Sequence, residues 1–379
     1  MPMPRTPQTS SNETGQALRD AQFMRMALML ARRGLGNTAP NPAVGAVIVD
    51  EATGEVIARG WTQPGGRPHA ETEALRRAGS RAAGKTMYVT LEPCSHHGKT
   101  SPCADAIVAA GISRVVAGIE DPDARVSGRG LDRLRAAGIA VTRGVLSDEA
   151  DWVTRGHILR VSERRPFTQL KLALAADNTV PRGSDGKPEW VTGPQARAQG
   201  HLLRAQADAI LVGSRTVADD DPELTCRLPG LENRSPIRLV LARNLDISLD
   251  CKLVRTARDV PVVLFCARSA DPERRLALEA TGCIVEPVRE VDGALWLPAI
   301  MEALVARGIT RLLVEGGAAA WRAFSKAHFV DEVVMFRAPG GQGERLPDAL
   351  LPGLNLVATT ERKVGCDDMI VFRRPQPVA

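Results

Sequence analysis

Aromatic side chains are scarce in this chain: one Tyr and seven Phe stand among 379 residues, and aromatics make up 3% of the whole. Proteins that grip single-stranded nucleic acid usually stack its bases on such rings, so the shortage argues against a polymer partner although the net charge is +5. The basic residues are scattered arginines rather than a clustered stripe, and diffuse positive charge suits small phosphorylated ligands. No run of about 18 apolar residues occurs, which excludes the pattern of a membrane-spanning helix. The opening MPMPRTPQTSSNETGQ lacks the apolar stretch of a secretory signal, and the expected location is cytoplasmic. Seven cysteines, an odd number without regular spacing, argue against a disulfide framework. Cys251, Cys266, Cys283 and Cys366 lie beside apolar runs and read as packing residues.

What is present is the composition of a globular protein, with 44% apolar and 25% charged residues, on a chain long enough for two cores. Residues 1–17 are polar and read as a disordered tail. After them, helix patterns such as ALRDAQFMRMALMLARRG, ETEALRRAG, CADAIVAAG and GLDRLRAAG alternate with strand patterns at AVGAVIVD, EVIARGW, TMYVTLE, RVVAGI and AVTRGV. Repeated helix–glycine–strand units imply an α/β layered domain over 18–150 with a largely parallel sheet. The pattern changes around 151–165, where ERRP discourages helix, and this stretch is expected to be a linker. A second α/β series fills 166–379, with strands expected at 167–175, 208–213, 236–241, 260–265, 283–287, 310–314, 331–338 and 368–373.

The stretch LEPCSHHGKTSPC at 91–103 places two cysteines and two histidines within ten positions, and RPHAETEAL stands upstream of it. His69, Cys94 and Cys103 are three good zinc ligands, and three protein ligands leave the fourth position open to water, as a catalytic site requires. Ligands at helix starts suit anions, because unpaired N–H groups and the helix dipole favour negative charge there. Glu71, two residues past the first ligand, has the reach to shuttle a proton from water to a departing amine. Such a site performs hydrolytic deamination. The competing readings are a structural zinc knuckle closed by His96 or His97, and a redox pair, for which the eight-residue gap between the cysteines is too long.

His-x-Glu, then Pro-Cys, then a second Cys resembles the zinc-dependent nucleoside and nucleobase deaminases. The long spacing in PCSHHGKTSPC, with NPAVGAVIV at 41–49 and DPDARVSGRGLDRLRAAGI at 121–139, is similar to the deaminase half of the bifunctional riboflavin biosynthesis deaminase/reductase family. The resemblance implies a cytidine-deaminase-like three-layer α/β/α domain. It puts the ligands of one Zn²⁺ per chain on His69, Cys94 and Cys103, the proton shuttle on Glu71, and substrate contacts on Asn41, His96 and Lys99. His97 receives no role.

Residues 165–379 contain no G-x-G-x-x-G fingerprint for a dinucleotide. Two strand ends look chemical instead: AILVGSRTVADDDPELTCR and RLLVEGGAAAWRAF, the second passing from a Gly-Gly turn into a helix whose start suits a phosphate. Together with KLALAAD at 171–177, WVTG at 190–193 and LLVEGG at 312–317, they resemble the reductase half of the same family. That resemblance implies a dihydrofolate-reductase-like α/β domain binding NADPH through Leu174, Trp190, Thr216, Asp220, Gly317, Ala318, Ala319, Ala320, Trp321, Arg322 and Ala323. It assigns reductase substrate contacts to Pro188, Arg204, Leu224, Arg227 and Glu315, with Arg204 and Arg227 suited to a 5′-phosphate through bidentate bonds. Two positions depart from the family pattern: AADN at 175–178 replaces an Asp-Gly turn, and Pro188 stands where a hydroxyl is usual. Asp220 is the candidate general acid, and Arg243 a candidate for distinguishing NADPH from NADH.

The implied activity is deamination of 2,5-diamino-6-ribosylamino-4(3H)-pyrimidinone 5′-phosphate. NADPH-dependent reduction of the ribosyl group to ribityl follows, giving 5-amino-6-ribitylamino-uracil 5′-phosphate. The expected partners are this small phosphorylated pyrimidine and further copies of the chain, as a dimer or tetramer, with no nucleic acid and no membrane. The alternatives are a nucleic-acid or nucleoside deaminase with an accessory domain, and a non-catalytic zinc-stabilised binding module.

Overall fold

A computed structural model describes residues 9–96, 101–123, 126–180, 192–340, 347–349 and 351–375. The chain divides into two units, Met1–Glu163 and Arg164–Ala379. In the first, α1 (Thr9–Arg32), β1 (Gly45–Asp50), β2 (Glu55–Trp61), α2 (Ala70–Ala78), β3 (Thr86–Leu91), α3 (Cys103–Ala109), β4 (Arg114–Ile119), α4 (Arg129–Ala136), β5 (Ala140–Arg143) and α5 (Ser147–Ser162) follow one another. The strands lie in the order β2-β1-β3-β4-β5.

Side chains alternate across this sheet with the two-residue period of a strand. Val47, Val49, Tyr88 and Val116 meet Phe23, Met24, Ala27 and Leu28 of α1 on one face. On the other face, Ala46, Ile48, Met87, Val89 and Val115 meet Ala70 and Ala74 of α2, Ile107 of α3 and Leu131 of α4. The result is a three-layer α/β/α unit.

Three expectations need correction here. The sheet is parallel only across β3, β4 and β5, because β1 runs antiparallel to both β2 and β3. A tight turn through Gly54, with φ of 73°, returns β2 as a hairpin, and a buried apolar run reads the same in either direction. The expected tail is helical from Thr9, and Gln16 extends the helix by bonding Arg19 and Asp20. The expected linker is mostly α5, whose Ala150 and Val153 pack into the first unit's core.

The second unit contains β6 (Phe167–Leu174), α6 (Pro194–Ala205), β7 (Ala209–Gly213), α7 (Ser214–Asp220), β8 (Ile237–Leu241), α8 (Lys252–Arg255), β9 (Val262–Ala267), α9 (Pro272–Ala280) and β10 (Ile284–Val288). A two-residue hairpin, β11 (Glu290–Val291) and β12 (Ala294–Leu295), precedes α10 (Leu297–Ala306), β13 (Arg311–Val314), α11 (Ala318–Lys326), β14 (Glu332–Arg337), β15 (Val357–Val364) and β16 (Asp367–Arg373). The nine-stranded sheet has the order β10-β9-β8-β7-β13-β6-β14-β16-β15. It is parallel from β10 to β14 and antiparallel beyond. Every strand expected from the sequence of this unit is present, and β11, β12 and β15 are additional. Parallel order brings the C-terminal ends of β7, β13 and β6 side by side, the place where such sheets bind ligands.

Cys251, Cys266 and Cys283 are core residues, as their setting suggested, but Cys366 is exposed at the turn between β15 and β16. Among the described residues, no helix is long and apolar enough to cross a membrane.

Candidate active sites

In the first unit three separate chain segments deliver the metal-ligand set. His69 is the N-cap of α2, Cys94 follows the end of β3 across Pro93, and Cys103 is the first residue of α3. His69 Nδ1 lies 3.7 Å from Cys94 Sγ and 3.3 Å from Cys103 Sγ. The three ligand atoms all fall within 4.8 Å of one another. Zinc bonds of roughly 2.0–2.3 Å give tetrahedral edges of about 3.5 Å, so the donor set fits that ion. His96 stands outside this group, its Nδ1 buried without a partner, and no fourth protein ligand closes the site among the described residues. His97 and Lys99 lie outside the described residues.

The backbone N–H of Cys103 donates to Cys94 Sγ over 3.3 Å, as a helix start favours for a thiolate. Hydrogen bonding from the Cys103 thiol, with help from His69, holds Cys94 down at about 4 against the effect of burial. The Cys103 thiol is correspondingly pushed up, first by that same bond and then by burial. Glu71, in the first turn of α2, is 4% exposed. Burial pushes its carboxyl up to about 7, although the neighbouring His69 charge opposes the shift. A carboxyl poised near neutrality both accepts and returns protons.

Asn41 is half-buried and its Nδ2 donates to the Gly66 carbonyl over 3.0 Å. Gly66 has φ of 85°, and a Cβ there would lie 2.2 Å from Asn41 Nδ2, so only glycine permits this approach.

In the second unit the expected residues divide. Glu315, just past β13, receives Arg204 Nε and Nη2 at 2.9 Å each, a bidentate pair with side chains 14% and 8% exposed. Burial raises the Glu315 carboxyl, but the charges of Arg204 and Lys171 outweigh it and hold the group at about 2. Arg204 Nη1 also donates to Thr225 O, so three of its donors are engaged within the protein and its side-on fork faces Glu315. Arg227 is exposed and bonded to Glu223 at 2.9 Å.

Lys171 was not singled out from the sequence. Its Nζ lies 3.9 Å from Glu315 Oε2, on the face of β6 opposite the core-facing Leu170 and Leu172. A charged residue alternating with leucines in a strand that ends at a candidate site was the available signal.

Thr216 Oγ1 accepts the Gly317 N–H over 3.1 Å, which joins the starts of α7 and α11. The run 317–323 does not face one way. Gly317, Ala319 and Arg322 are exposed and Ala318 and Ala323 half-buried, whereas the helical period turns Ala320 and Trp321 into the core. Leu174 and Leu224 are buried as well, the latter with φ of 56°. Asp220 is exposed at the end of α7, and Arg243 pairs with Glu290 at 2.5 Å. In the AADN departure, Asn178 takes φ of 66°, the left-handed conformation that a glycine would supply. Pro188 and Trp190 lie outside the described residues.

Comparison with known proteins gives two family matches. Residues 18–119 match the cytidine and deoxycytidylate deaminase zinc-binding region, and residues 166–368 match the RibD C-terminal domain. The riboflavin biosynthesis protein RibD of Escherichia coli is 40% identical over 355 residues, covering 90% of this chain and 94% of that protein. A crystal structure from Thermotoga maritima bears the description diaminohydroxyphosphoribosylaminopyrimidine deaminase/5-amino-6-(5-phosphoribosylamino)uracil reductase. It superposes with a TM-score of 0.80 at 32% identity, covering 95% of this chain and 100% of its own. Acinetobacter baumannii RibD superposes with a TM-score of 0.80 at 31% identity and the same coverage.

Proposed function

The chain belongs to the RibD family of bifunctional deaminase/reductases of riboflavin biosynthesis, and from that premise we propose how its residues divide the two reactions. The first substrate is 2,5-diamino-6-ribosylamino-4(3H)-pyrimidinone 5′-phosphate, a reading supported by the description of the Thermotoga relative. His69, Cys94 and Cys103 hold one zinc ion per chain. Zinc, when bound, supplies Lewis-acid activation of a water molecule. Glu71 takes a proton from that water and delivers it to the departing amino group, for which a carboxyl near 7 is suited. Asn41, His96 and Lys99 orient the pyrimidine.

The second reaction reduces the ribosyl group of the deaminated product. NADPH, when bound, supplies the hydride. In this reading Leu174, Trp190, Thr216, Asp220 and the exposed residues of 317–323 serve the cofactor, and Arg227 takes the 5′-phosphate. Arg204, Glu315, Leu224 and Pro188 complete the substrate's side. Expected further partners are copies of the chain itself.

The observation that carries the deaminase reading is the convergence of one imidazole and two sulfurs beside a buried glutamate. Glu71→Gln is expected to retain zinc and to lower deamination by about 10²–10⁴-fold, while NADPH oxidation on the deaminated intermediate continues. Undiminished ammonia release by this variant would remove Glu71 from the mechanism.

A further inference from the structure

Glu92 is the residue between β3 and the Pro93-Cys94 turn, and its carboxylate is 3% exposed. Four backbone N–H groups converge on it. Asp121 and Gly128 donate to Oε2 at 3.1 and 2.9 Å, and Gly130 and Leu131 donate to Oε1 at 2.8 and 3.3 Å. Among the described residues it meets no cation, so the charge is held by peptide dipoles alone.

Gly130 and Leu131 occupy the second and third positions of α4, whose N-cap, Gly128, has no side chain with which to cap them. Glu92 performs that capping from a different strand, where the helix field favours its charge. The same contacts tie down its own backbone. The Glu92 N–H bonds Ile119 O at 3.0 Å, and a Cβ at Gly130 would lie 2.0 Å from the carbonyl oxygen of Pro93. On the far side of the turn, Ala104 N–H bonds the Cys94 carbonyl at 3.2 Å.

We infer that Glu92 is a positioning residue of the metal centre: by anchoring the 121–131 loop and the start of α4 to the Pro93-Cys94 turn, it fixes where the Cys94 sulfur stands. A ligand's supporting hydrogen bonds typically govern metal affinity as well as orientation. This inference rests on the zinc reading of His69, Cys94 and Cys103. In Glu92→Gln the side-chain shape is kept, but an amide nitrogen replaces one oxygen, so one acceptor and the two N–H bonds it receives are lost, and donors face donors there.

The test is zinc titration of the full-length chain against a chromophoric chelator, with thermal unfolding followed in parallel. E92Q is expected to bind zinc on the order of 10- to 100-fold more weakly than wild type, with deamination falling in kcat and reduction of the deaminated intermediate unchanged. Gly130→Ala, which retains the carboxylate but presses on the Pro93 carbonyl and on Glu92 Oε1, 2.0 and 3.1 Å from the added Cβ, is expected to weaken zinc in the same direction and covers the case in which E92Q fails to fold. If both variants unfold at lower temperature yet hold zinc as tightly as wild type, Glu92 is a helix cap only and the inference is overturned. A wild-type chain that binds no zinc overturns this inference together with the reading beneath it.

Discussion

At the metal centre three ligand atoms from three elements come within 4.8 Å of one another, whereas the reductase candidates spread along the ends of β6, β7 and β13, where Arg204, Glu315 and Lys171 gather as a charged cluster. The first site is made of residue types that few other roles require, held at separations that one metal ion can span. The second is made largely of backbone, small side chains and charges that neutralise one another. Chemistry that needs a particular atom leaves a mark in the sequence, and chemistry supplied by a cofactor leaves a fainter one.

The comparison can be broken most forcefully at Glu315. Glu315→Ala leaves the largely buried Arg204 and half-buried Lys171 without their carboxylate and should cost about 3–5 kcal/mol, read as denaturant unfolding followed by loss of reductase activity. Deamination in the same samples should persist to higher denaturant. Equal loss of both activities would contradict a loss of stability confined to the second unit.

Acid sharpens the same point. The Glu315 carboxyl is held at about 2, below its ordinary 4.5, so its contribution to stability is complete above 4.5 and is lost as the pH falls toward 2. Between those values the second unit of wild type should lose stability more steeply than that of E315A, which has no carboxyl to titrate at that position. Parallel acid limbs in the two proteins would contradict the ion-pair account.

The smallest expected effect is at Arg227, which is exposed and bonded to Glu223. Arg227→Ala should raise the KM for the reductase substrate by about tenfold, as the loss of a charge-assisted bond of roughly 1.5–3 kcal/mol predicts, with unfolding unchanged. An unchanged KM would take Arg227 out of the phosphate clamp.

Much of this molecule was legible before its structure. The strands EVIARGW and RVVAGI have the bounds their patterns suggested, because β-branched residues between turns leave few other choices. The strand Val357–Val364 was invisible because all but its last residue are exposed, so neither alternation nor an apolar run marks it. The expectation of a largely parallel sheet in the first unit went too far because burial on both faces of β1 erases the distinction between parallel and antiparallel neighbours. At the sites, the three ligands and Glu71 could be picked out by type and spacing. Lys171 was missed because its partner Glu315 is remote along the chain, and Glu92 because its four partners are backbone N–H groups, which every residue but proline carries.

Metal removal tests the account most directly. Full-length protein stripped of zinc by a chelator should release no ammonia from the diamino substrate and recover this activity on addition of one zinc per chain, while oxidising NADPH undiminished on the deaminated intermediate throughout. Metal-free protein that releases ammonia at the full rate would contradict it.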